Sequence, residues 1–99
     1  MPAYLIADLT VTDPDAFRKY QEAVPAIIAA HGGRYLVRGG ASRVLEGHWE
    51  PGRLVVLEFP DPERAEAFWT SEDYARIADW RQQASLSNIV LVEGVTPPS

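Results

Sequence analysis

The residues able to do chemistry gather in the middle of the chain and on one late helix. Arg38 and Glu58 fall in the apolar stretches 34–39 and 53–59, where aliphatic side chains are the ordinary choice. Charges there must be paired, lie at an edge or face a cavity. Arg38 offers a planar fork suited to a carboxylate. It reads as an anion clamp or as the structural partner of Glu58 or Glu46, and pairing within the protein is the expectation. Glu58 and Asp8 are expected near the ends of adjacent parallel strands; if they approach, one could act as a general base, against the plainer reading that each meets an arginine or water. His31 extends an apolar helical stripe and is the other candidate base, against the plainer reading of a packed or rim histidine. Tyr74, Ile77 and Arg81 stand at i, i+3 and i+7, so Arg81 shares the inward stripe of its helix and should reach an acid or a ligand anion. Trp49, Trp69, Trp80, Tyr35 and Tyr74 could line an apolar pocket or simply fill core and interface.

Other chemistries are excluded by residue type. The chain has no cysteine and two histidines, His31 and His48. Thiolate catalysis, disulfides and cysteine-ligated metal are ruled out, and no spacing suits another metal site. No dinucleotide fingerprint, phosphate loop or nucleophile elbow is present. No metal or cofactor is expected. The formal net charge of −5 leaves no basic stripe for phosphates and argues against nucleic acid. No segment reads as a signal peptide or a membrane span, so a cytoplasmic protein is expected, without a membrane partner.

The elements that must position these residues follow from capping and periodicity. Residues 3–11 read as a strand. Asp13 is a natural N-cap and Pro14 fits the first helical position. Phe17, Tyr20, Val24, Ile27, Ile28 and His31 form one apolar stripe, with Pro25 inside the helix and Gly32-Gly33 ending it. Strand 34–39 should run into a bulge or bend at Gly39-Gly40, with 43–47 still extended, 48–52 a turn and 53–59 the next strand. Asp61-Pro62 and Ser71 start two further helices, the second reaching about Ala84, and 87–94 is the last strand. The expected unit is a single domain over 1–95, with a loose tail at 96–99.

This order, β-α-β-β-α-β, predicts an α+β ferredoxin-like sandwich: a four-stranded antiparallel sheet with its helices on one face. Such a sheet should alternate apolar and polar residues, yet here both faces are apolar. Tyr4 and Ile6 oppose Leu5, Ala7 and Leu9; Leu54 and Val56 oppose Val55, Leu57 and Phe59; Val90 and Val92 oppose Ile89 and Leu91. The helices can cover only one face. A homodimer packed sheet to sheet is therefore expected.

The runs Gly-Gly-Arg-Tyr-Leu-Val-Arg-Gly-Gly (32–40), Leu-Glu-Gly-His-Trp (45–49), Arg-Leu-Val-Val-Leu-Glu-Phe (53–59), Ala-Phe-Trp-Thr-Ser-Glu-Asp-Tyr (67–74) and Val-Glu-Gly (92–94) resemble the DUF1330 family over residues 3–95. That resemblance implies a protomer of the dimeric α/β-barrel superfamily, and no established activity.

Together these readings predict a small apolar cavity in each protomer. It would hold a small organic acid or aromatic compound against Arg38 and Arg81, with Trp49 and Tyr74 in its wall. Glu58 or His31 would handle protons in cofactor-free isomerase- or lyase-like chemistry. The alternative is a non-catalytic binding or dimerisation module with the same pocket.

Overall fold

In the computed structural model, which describes residues 1–96, the chain forms β1 (Ala3–Val11), α1 (Pro14–Ala30), β2 (Arg34–Arg38), β3 (Arg53–Phe59), α2 (Pro62–Trp69), α3 (Glu72–Ala84) and β4 (Ser85–Glu93). Of the expected tail at 96–99, residues 97–99 lie outside the described residues. Each helix begins where its cap dictates. Asp13, Asp61 and Ser71 accept from the backbone N–H of Ala16, Arg64 and Tyr74, satisfying donors that would otherwise be orphaned. Gly32, at φ +80°, supplies the left-handed residue that closes α1.

The four strands form one antiparallel sheet in the order β2-β3-β1-β4. This is the ferredoxin-like α+β arrangement. Within one chain the sheet stays open, with β2 and β4 at its edges, and is not closed into a barrel. The helices cover the face that carries Leu5, Leu57 and Phe59, which pack with Val24, Ile28 and Phe68 in one core. Phe59 and Phe68 are fully buried, with ring centroids 5.4 Å apart. Each contributes about 3 kcal/mol by area alone. The opposite face is uncovered: Val90 is 55% exposed and Val92 43%.

Two local expectations are corrected and a third is narrowed. β1 and β3 run antiparallel, with Tyr4 opposite Glu58 and Asp8 opposite Leu54. Asp8 and Glu58 therefore sit at opposite ends of the strand pair, about 13 Å apart along it, and cannot form a carboxylate pair. At Gly39-Gly40 the chain bends, with Gly39 at φ +69°, and the bulge lies instead at Leu36, where the register of β2 slips against β3. Residues 43–47 form no strand. Instead the whole span 39–52 is a connecting loop, tied down where Asp8 accepts from Trp49 Nε1 at 2.9 Å and from the Gly52 N–H at 2.8 Å.

Candidate functional site

The Leu36 bulge decides which charges reach the helix side of the sheet. Strict alternation would put Arg38 on the face of Arg34, the face that carries Glu58. With one extra residue in β2, Tyr35 faces across from Leu57 and Arg38 from Val55, so both point toward the helices. The pairing of Arg38 with Glu58 is thereby overturned. Glu58 instead accepts from Arg34, whose Nε and Nη2 lie 2.8 and 2.7 Å from the same oxygen. Arg38 stacks on Tyr35, its guanidinium carbon 4.4 Å from the ring centroid.

Between helices and sheet lies a cavity of about 60 Å³. Its floor comes from β1 and β3 through Leu5, Ala7, Leu9, Val55 and Leu57; its roof comes from α1 through Phe17, Val24 and Ile28, with Phe68 beside them. The polar groups in the wall are Tyr20, Gln21, Tyr35, Tyr74 and three arginines, Arg38, Arg53 and Arg81. Among the described residues no carboxylate lines it. Arg53, Leu9 and Ser87 occupy one row across β3, β1 and β4. The strands that carry Arg53 and Ser87 are two spacings apart, about 10 Å. Gly39 fixes Arg53: at φ +69° it has no Cβ, and a Cβ there would run into the guanidinium.

Arg81 is 5% exposed. Its Nε donates to the Tyr74 hydroxyl at 3.1 Å and its Nη1 to Ser87 Oγ at 2.8 Å. The Trp69 ring lies beside it, 5.8 Å away. The Tyr74 hydroxyl in turn lies 3.0 Å from that of Tyr20. Among the described residues, ion pairs engage Arg18, Arg34, Arg64 and Arg76, all away from the cavity. Arg38, Arg53 and Arg81 are in none of these pairs. Burial pushes the Tyr20 phenol well above the usual tyrosine range; Tyr74 adds to the rise, and the nearby Arg81 charge opposes it. Burial also raises Tyr35, against the pull of Arg38 and Arg53.

The structure thus brings together three of the expected site residues, Arg38, Arg81 and Tyr74, and leaves three outside. Glu58 is on the uncovered face of the sheet. Trp49 is there too, beside Ile6, Asp8 and Leu54 at a shallow groove. His31 closes α1, donating from Nδ1 to the Ile27 carbonyl at 3.0 Å and packing on Phe68. Its ring stands behind Phe68, outside the cavity wall. Tyr20 and Arg53 were not anticipated as site residues. The signals were present: Tyr20 carries a hydroxyl into an apolar stripe, and Arg53 alternates with Val55, Leu57 and Phe59 on the covered face. Among the described residues no cluster of three or more metal-ligating side chains occurs, and no helix is long and apolar enough to cross a membrane.

The sequence matches the profile of a domain of unknown function, DUF1330, over residues 2–95. The chain belongs to the DUF1330 family. No curated protein matches it. Several solved structures share the fold of this DUF1330 protein. A protein of unknown function from Rhodopseudomonas palustris, RPA0582, superposes with a TM-score of 0.75 at 15% identity, over 97% of this chain and 84% of that one. A dimeric ferredoxin-like protein of unknown function from Jannaschia sp. CCS1 gives 0.65 at 18% identity, over 95% and 100%. SnoaB, a cofactor-independent oxygenase from Streptomyces nogalater, gives 0.62 at 15% identity, over 97% and 95%. At these identities the likeness is one of fold.

Proposed function

We propose that this DUF1330 protein binds a small organic anion in the cavity between sheet and helices, and does so as a homodimer. One observation carries the ligand class. In a chain with net charge −5, the charged groups of the cavity wall are three arginines without ion-pair partners among the described residues. A buried guanidinium bonded only to neutral hydroxyls leaves its charge uncompensated, and a ligand carboxylate supplies the missing counter-charge.

Volume narrows the class. A cavity of about 150 Å³ is needed to enclose benzene, and a water needs about 10–15 Å³. The 60 Å³ here suits roughly four to six non-hydrogen atoms. A short aliphatic acid fits inside; an aromatic acid would enter by one edge only.

The dimer rests on the uncovered sheet face, where Ile6, Val90 and Val92 are exposed together, and on the dimeric state named for the Jannaschia protein. Proton-transfer chemistry is the second reading. The fold of a cofactor-independent oxygenase keeps it in view, and Tyr20 and Tyr74, not Glu58 or His31, would be its proton-bearing groups.

The test is a titration of isotope-labelled protein followed by NMR, with propionate, propionamide and benzoate. Propionate should perturb the signals of Ala7, Val24, Leu57 and Tyr74, propionamide should not at equal concentration, and benzoate should bind more weakly. Equal binding of acid and amide, or shifts confined to the opposite sheet face, would overturn the proposal.

A further inference from the structure

Counting hydrogens in the Tyr20–Tyr74–Arg81 cluster exposes one donor too many. Arg81 Nε donates to the Tyr74 oxygen, and one phenolic hydrogen serves the bond between Tyr20 and Tyr74. Two phenols bring two hydrogens. No other acceptor for either hydroxyl occurs among the described residues. One O–H therefore needs an acceptor from the cavity, either a water or a ligand atom that displaces it.

Direction can be assigned as well. By donating to Tyr74, Arg81 withdraws density from that oxygen and makes the Tyr74 O–H the stronger donor. Tyr74 then donates to Tyr20, and the hydrogen left over belongs to Tyr20. Tyr20 lies under α1 with its side chain in the cavity wall, beside Val24. The order of donation is Arg81 to Tyr74 to Tyr20 to ligand.

We infer that the ligand of this cavity carries a second oxygen besides its carboxylate, a carbonyl oxygen that accepts the spare Tyr20 O–H. The class is a short oxo acid, its carboxylate held by an arginine fork and its carbonyl by the phenol. The inference rests on the anion-binding reading and sharpens it. The same phenol, polarised by a buried cation through Tyr74, is placed to stabilise negative charge growing on that carbonyl oxygen.

The experiment compares pyruvate with propionate, which differ at the oxo group, by calorimetry on the full chain and on Tyr20→Phe. In the unmodified protein pyruvate should bind roughly three- to tenfold more tightly, the worth of one added hydrogen bond. Tyr20→Phe should abolish that preference, so that the two acids bind with equal affinity. Equal affinities in the unmodified protein would overturn the inference without need of the variant, and so would a preference that survives in Tyr20→Phe. If neither acid binds, the anion-binding reading itself fails. If both bind equally and Arg81→Met weakens both, that reading stands and the oxo-acid inference falls.

Discussion

The hydroxyls of Tyr20 and Tyr74 lie 3.0 Å apart although the residues are 54 positions apart in sequence. This contact joins α1 to α3 at the cavity wall, and burial there favours the neutral phenol of Tyr20. The unfolded chain ionises this tyrosine near pH 10. The folded protein holds the proton to higher pH. Unfolding above pH 10 therefore releases a proton, and stability present below pH 10 is lost as pH rises beyond it, by up to about 1.4 kcal/mol per pH unit. Denaturant melts between pH 9 and 11 should show this decline, and Tyr20→Phe should flatten it. An equal slope in the variant would assign the decline to other groups.

Glu58 and Arg34 form a surface pair, and their coupling should be small. Arg34 has 70% of its side chain exposed and Glu58 24%, which places the pair in the range of about 0.2–1 kcal/mol, weakened by salt. A double-mutant cycle on Arg34 and Glu58 measures it. The same cycle on Arg38 and Glu58 should give no coupling, because the Leu36 bulge turns Arg38 to the other face.

Much of this arrangement is legible in the residues alone. The Asp13, Asp61 and Ser71 caps mark the helix starts, because an N-cap hydrogen bond is local. The inward position of Arg81 follows from its spacing to Tyr74 and Ile77, because helical period is local too. The partner of Glu58 was not legible. It depends on the register that sets Arg34 opposite Glu58, and the run Arg-Tyr-Leu-Val-Arg offers an arginine at either end without saying which is in register. The displacement of Trp49 has a similar origin. Its place is set by Asp8, 41 positions away, which accepts its indole N–H, and no period connects a loop residue to a strand so distant. His31 follows the α1 stripe as the cap of that helix, and its ring packs on Phe68 away from the cavity lining.

Gly39 should be intolerant of any side chain. Its positive φ strains an L-residue, and a Cβ would displace the Arg53 guanidinium. Gly39→Ala should cost about 1 kcal/mol or more and weaken carboxylate binding together with stability. Gly40→Ala is the control, since nothing lies within 4 Å of a Cβ there. Thermal melts and propionate titration of both variants check this. Equal behaviour of the two would remove Arg53 from the site.

The uncovered sheet face should make the protein a dimer of twice the 11.0 kDa chain mass. Val90→Lys places a charge at its middle, opposite Ile6, and should give a folded monomer by sedimentation equilibrium. A monomeric unmodified protein at micromolar concentration would contradict the sheet-to-sheet assembly.

If the cavity arginines, which have no ion-pair partner among the described residues, await an anion, then removing the charge of Arg81 must weaken anion binding. Arg81→Met keeps the length of the apolar stem and removes the charge, a change that buried ionic sites commonly tolerate. Calorimetric titration of propionate into the unmodified protein and into Arg81→Met is the measurement, with circular dichroism to establish that the variant is folded. A hydrogen bond to a charged group contributes about 1.5–3 kcal/mol, so affinity should fall by roughly tenfold to a hundredfold or more. A folded Arg81→Met protein that binds propionate as tightly as the unmodified chain would mean that the arginines of this cavity do not hold an anion.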